Sequence, residues 1–136
     1  MKKTSILLGL LLIITSCSEP DNLINDVLNN YTSGAVIRTI ASSGEYNFYA
    51  PATSIFTATI EEHDTESGAL MQNIEIYVSL NGGTEALLQT LQPSEFTTGP
   101  TGLPRTDISV SLAAATGALG LSSSQYTGGD SVGIRL

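Results

Sequence analysis

Ile74-Glu75-Ile76-Tyr77-Val78-Ser79-Leu80 is the stretch whose reading decides the fold. Apolar residues stand at 74, 76, 78 and 80, with Glu75, Tyr77 and Ser79 between them. Successive side chains of an extended chain point to opposite faces, so this spacing gives one face to a core and the other to water. Directly after it, Leu80-Asn81-Gly82-Gly83-Thr84 offers residues that tolerate positive φ and predicts a tight hairpin.

Working outward, the same period of two recurs. Val36-Ile37-Arg38-Thr39-Ile40 is β-branched and apolar. Phe56, Ala58 and Ile60 alternate with Thr57, Thr59 and Glu61; Ile108, Val110 and Leu112 alternate with Ser109 and Ser111. Val132, Ile134 and Leu136 alternate with Ser131, Gly133 and Arg135. Glu85–Leu91 reads as a sixth strand, although the pair Leu87-Leu88 blurs its register. Turn residues separate the runs at Ser42-Ser43-Gly44, Gly99-Pro100-Thr101-Gly102 and Gly128-Gly129-Asp130. Short strands with regular turns predict an all-β, antiparallel β-sandwich over residues 34–136. Leu112–Gly120, rich in alanine, breaks the pattern and predicts one short crossover helix stopped by Gly120. Val132–Leu136 reads as a strand in progress that needs a ladder neighbour, so the natural chain is expected to continue and the domain to be truncated here. The alternative is the last strand of a complete small domain, and a stop codon directly after Leu136 would decide for it.

The N-terminus carries a different message. Met1-Lys2-Lys3 is a basic n-region, Ile6–Ile14 is an apolar h-region, and Thr15 and Ser16 precede Cys17. That order predicts a signal peptide over residues 1–16. The apolar run is shorter than the ~20 residues a membrane-spanning helix needs. Ile14-Thr15-Ser16-Cys17 resembles the bacterial lipobox, whose cysteine is lipidated and becomes the new N-terminus. The resemblance implies a covalent lipid on Cys17, and more than one acyl chain suffices for stable anchoring. Ser18-Glu19-Pro20-Asp21 resembles in part the surface-export signal of Bacteroidota lipoproteins; a plain polar tether accounts for it equally well. Residues 17–33 are then a lipidated tether. Leu23, Ile24, Val27, Leu28 and Tyr31 recur at helical spacing within it, with Asp21 or Asn22 as cap, and predict a short helix that is marginal alone.

Charge excludes some partners. Without residues 1–16, three arginines (Arg38, Arg105, Arg135) face 13 acidic residues, a net charge of −10 with no lysine. Such a chain repels nucleic-acid phosphates and anionic headgroups, so its membrane contact is expected through the lipid anchor. One cysteine allows no internal disulfide.

The densest charged cluster is Glu61-Glu62-His63-Asp64-Thr65-Glu66. Glu61, Glu62, Asp64 and Glu66 offer oxygen ligands of the kind Ca²⁺ takes, with Asp107 or Asp130 completing a site. The spacing matches no known loop, and a solvated strand end running into a turn at Ser67-Gly68 explains the residues more simply. No metal or other cofactor is expected. One histidine and one lipidated cysteine do not make a zinc site. No nucleophile-elbow motif surrounds a serine, and the spacing selects no carboxylate pair, so a non-enzymatic chain is expected. Tyr46, Phe48 and Tyr49 are the surface aromatics best placed to stack on a sugar ring, against the simpler reading that they pack a core or hairpin.

Four segments together carry a wider resemblance: Gly34-Ala35-Val36-Ile37-Arg38-Thr39-Ile40, Ile76-Tyr77-Val78-Ser79, Gly102-Leu103-Pro104-Arg105, and Leu119-Gly120-Leu121 followed by Gly129-Asp130. With the lipobox, they make the chain look like a class of Bacteroidota surface lipoproteins that accompany starch-utilisation-type glycan uptake systems. The resemblance implies an immunoglobulin-like fold and an outer-membrane, surface-exposed location. It also implies an accessory or scaffolding role beside outer-membrane protein partners, or direct glycan binding.

Overall fold

The computed structural model describes residues 34–136. The signal peptide expected over 1–16, Cys17 and the tether to residue 33 lie outside the described residues. Among the described residues seven strands form in chain order: β1 (Val36–Ser43), β2 (Ile55–His63), β3 (Ile74–Leu80), β4 (Ala86–Leu91), β5 (Thr97–Thr98), β6 (Pro104–Ser111) and β7 (Val132–Arg135). A 3₁₀ turn (Pro93–Glu95) precedes β5, and one helix, α1 (Leu112–Ala118), joins β6 to β7. The strands make two antiparallel sheets, β1-β2-β6-β5 and β4-β3-β7.

The alternation read at residues 74–80 is what builds the core. Ile74, Ile76 and Val78 are buried while Glu75 is exposed. Ala58 and Ile60 of β2, and Ile108 and Val110 of β6, supply the facing layer. Ile74, Ile76, Ala58, Ile60, Met71, Leu91 and Ile108 form one cluster, and Val78, Val110 and Ala115 a second. Each large side chain so buried contributes about 1.5–3 kcal/mol. The hairpin after β3 is a tight turn: Asn81 and Gly82 have φ of 51° and 68°, and the Gly83 N–H donates to the Leu80 carbonyl at 2.8 Å. Positive φ at both central residues matches the right-handed twist of the flanking strands.

Two irregularities place residues that the simple alternation left ambiguous. Between β3 and β4 the register slips so that Leu88 is the extra residue. Leu88 packs against both core clusters, while Leu87 is 49% exposed. In β1 the extra residue is Ile40, a bulge on the strand that stands at the end of its sheet among the described residues.

Helix α1 carries the chain from the four-stranded sheet to the three-stranded one. The Ser111 hydroxyl caps it by accepting the Ala114 N–H at 3.0 Å, and Gly120 follows its end with φ of 69°. The N–H groups of Leu112 and Ala113, which have no partner inside the helix, donate to Ser54 and Pro51 carbonyls at 3.0 Å. Among the described residues no helix is long and apolar enough to cross a membrane.

Candidate functional site

Glu61 and Glu62 are consecutive on β2, so their side chains leave the strand on opposite faces. Strand register sets the surroundings of each. Arg38 of β1 is the register partner of Glu61 on one side and Arg105 of β6 on the other. The Glu61 carboxylate therefore lies between two guanidinium groups on the outer face of the four-stranded sheet. Arg38 donates to Oε1; Arg105 donates to Oε2 through Nε at 3.1 Å and Nη2 at 2.5 Å. The Thr101 hydroxyl donates to Oε2 at 2.5 Å, the fourth bond to this carboxylate. It is delivered by the turn Gly99–Gly102, which the Gly102 N–H closes on the Gly99 carbonyl at 2.9 Å. These groups bury Glu61 completely. The Thr101 and Arg105 hydrogen bonds outweigh the effect of burial and hold its pKa down to about 2. Glu61 is thus an ionised structural anchor, unsuited to act as an acid at neutral pH.

Glu62 faces the sandwich interior beside Ile37, its register partner on β1. The loop from Asp64 to Met71 closes over it. Gly68 passes so near that a β-carbon there would lie 2.1 Å from Pro104 Cγ and 3.3 Å from Glu62 Oε2. Gly68 also has φ of 98°, a backbone conformation that favours glycine. Glu62 is fully buried, and no donor reaches either carboxyl oxygen; only in its protonated form does it hydrogen-bond to the Asp64 carboxylate. Burial, then the neighbouring Asp64 charge, push its pKa up.

Asp64 holds the loop. Its Oδ1 accepts N–H bonds from Glu66 at 2.7 Å and Gly68 at 2.8 Å, and its Oδ2 accepts the Leu70 N–H at 2.9 Å. Burial pushes the Asp64 pKa up, but the three N–H donors outweigh it and the net shift is downward.

The four acidic residues singled out from the sequence therefore do not converge. Glu61 faces out between arginines, Glu62 faces in, Asp64 is occupied by backbone N–H groups, and Glu66 is exposed. Asp107 accepts the Thr59 hydroxyl at 2.5 Å on the outer sheet face, and Asp130 is bound to Asn81 and Thr127 at the far hairpin. Among the described residues no group of three or more His, Cys, Asp or Glu could hold a metal ion. The picture of a solvated strand end also fails for Glu61 and Glu62: β2 runs on to His63, and both glutamates are buried.

The aromatic run divides. The Tyr46 hydroxyl donates to the Val110 carbonyl at 3.0 Å, so Tyr46 ties its loop to the core strand β6. Phe48 meets Tyr49 edge-on at 5.3 Å and Tyr126 edge-on at 5.5 Å. Tyr49 is 91% exposed and is the member of the run available to a ligand. A separate groove of about 410 Å³ opens between Ile37 of β1 and Tyr77 and Arg135 of the other sheet, with Met71 and Ile74 lining it. Leu70 and Met71 bring the Asp64 loop to its wall. Arg135 is fixed there by Glu85 at 2.6 Å and lies 4.4 Å over the Tyr77 ring.

Sequence reasoning missed the joining of Arg38 and Arg105 to Glu61, because strand pairing brings them together and no spacing along the chain encodes it. It also missed the inward turn of Glu62, which continues the Phe56, Ala58, Ile60 parity and could have been found by extending it. No protein-family model, curated protein or solved structure matches this chain.

Proposed function

We propose that this chain is a lipid-anchored, non-enzymatic accessory domain of the cell envelope, with an immunoglobulin-like fold and a binding or scaffolding role at the outer membrane. The observation that carries the reading is Ile14-Thr15-Ser16-Cys17 behind a basic and an apolar region. A signal of that order delivers a thiol to the lipidation machinery with small residues beside it. Chain charge supports the same conclusion: with no lysine after Cys17, electrostatic attachment to anionic lipid is disfavoured and the acyl chains are the remaining route.

Strand order supports the fold assignment. An immunoglobulin sandwich pairs strands A-B-E-D against a sheet that contains C and F, with C′ beside C in some members. Numbered along this chain, β1-β2-β6-β5 takes the places A-B-E-D and β4-β3-β7 the places C′-C-F. The tasks of the buried acids favour a non-catalytic role. Glu61 is held in ion pairs and Asp64 in loop hydrogen bonds, while His63, the only histidine, is exposed at the end of β2. The partner class is an envelope protein or glycan of an uptake system of the starch-utilisation type.

Cell fractionation tests the anchor. Wild type expressed in a bacterium with two membranes is expected in the membrane pellet, released by detergent and not by high salt. Cys17→Ala is expected to leave that fraction. Equal membrane retention of wild type and variant would refute the proposal.

A further inference from the structure

Glu62 is the one side chain among the described residues whose buried oxygens receive no hydrogen-bond donor; its hydrogen bond with the Asp64 carboxylate exists only while Glu62 carries the proton. An ionised carboxylate in that position would be strongly unfavourable, whereas the neutral acid is tolerable. We propose that Glu62 is a proton-operated latch on the loop from Asp64 to Met71. With the Glu62 carboxyl neutral the loop closes over the end of the sandwich; with it ionised the loop lifts and opens the adjoining groove.

The groups around Glu62 decide which part gives way. On β2 its neighbour His63 is exposed, and a charge there favours ionised Glu62. From β1 the facing residue is the apolar Ile37, and from the start of β6 it is Pro104 by way of Gly68. Arg38 and Arg105 are spent on Glu61 across the sheet. The loop contributes Asp64, whose three N–H donors favour its ionised form. A second negative charge at Glu62 therefore acts against the group that keeps the loop shut. Strand β2 yields less easily, because the β1 ladder runs through Glu62 to His63 and the β6 ladder holds β2 as far as Glu61. The loop has no ladder. Apart from the Asp64 bonds, its backbone ties are Ala69 N–H to Glu66 and Met71 N–H to Gly68, both at 3.4 Å. Since Leu70 and Met71 line the 410 Å³ groove, loop opening changes access to it.

The sign follows from burial and the Asp64 charge, both of which raise the Glu62 pKa above the ordinary 4.5. A raised pKa in the closed state means closure is fully favoured below 4.5 and is lost as pH rises through the raised value.

Hydrogen exchange on the full chain between pH 4.5 and 8 tests this. After correction for intrinsic rates, protection of the Gly68 and Leu70 amides is expected to fall about tenfold or more in wild type. Protection at Ile76 and Val78 is expected to hold. In Glu62→Gln, which keeps the shape and cannot ionise, Gly68 and Leu70 are expected to stay protected throughout. A flat wild-type profile, or the same fall in Glu62→Gln, would overturn the latch. Should the variant not fold, the ¹³C shift of the Glu62 carboxyl carbon in wild type decides: a midpoint above 4.5 supports the proposal and one at or below it refutes it.

Discussion

Ile76→Ala is expected to lower the unfolding free energy by about 2–5 kcal/mol, the range for truncating a fully buried isoleucine to alanine. Ile76 is 0% exposed and lies in the main cluster with Ile74, Ile60 and Ile108. Its strand is the central one of the three-stranded sheet, paired with β4 at Ile76 and with β7 from Tyr77 on, which limits how far the backbone can shift to fill the space. Interiors are packed like crystals, and the lost methyl and methylene groups leave a void. For a domain of roughly this size each kcal/mol moves Tm by about 4–8 °C, which makes the effect large in a circular-dichroism melt. Leu87→Ala is the control. Leu87 is 49% exposed beside the bulge, and its loss is expected to stay within about 0.5 kcal/mol. Equal losses at the two positions would mean that the inward and outward faces are misassigned.

Acid titration is expected to show the Glu61 cluster as a second large effect. Glu61 has its pKa lowered from 4.5 to about 2, chiefly by Thr101 and Arg105. A lowered folded-state value contributes stability that is present above 4.5 and is lost as pH falls through about 2. Urea unfolding at a series of pH values should therefore show stability declining through that window in wild type. Glu61→Gln should flatten this slope. It should also be less stable at neutral pH, because Arg38 and Arg105 then face each other across β2 with no anion between them. A variant with the wild-type acid slope would show that the decline comes from other carboxylates. The two adjacent glutamates thus respond to pH in opposite senses: Glu61 loses its contribution toward acid, and Glu62 strains the fold toward base.

Much of the scaffold is legible in the sequence. The alternation marks β3 at its observed limits, local chemistry marks the Asn81-Gly82 hairpin, and the alanine-rich run Leu112–Gly120 marks the crossover, whose helix spans Leu112–Ala118. Those are features that period and turn preference encode directly. Strand β6 was read from Ile108 but starts at Pro104. A proline lacks the N–H of a ladder, yet here it stands first in the strand, where it is tolerated. Strand β2 was expected to end near Glu61 and runs to His63. Two glutamates look like solvent-facing residues when only alternation is considered. Their burial depends on partners from β1, β6 and the Asp64 loop, and those contacts belong to tertiary register. For the same reason the cluster 61–66 read as a unit, whereas the strand's pleat divides it between two faces.

The mass of one peptide reports whether Cys17 is lipidated. The first arginine after Cys17 is Arg38, and no lysine intervenes, so trypsin would release Cys17–Arg38 as the N-terminal peptide of the processed chain. Protein extracted from the membrane of a bacterium with two membranes is predicted to yield that peptide carrying a diacylglyceryl group, with nothing preceding Cys17. A peptide beginning at Thr4, or Cys17 with a free thiol, would contradict lipidation of Cys17.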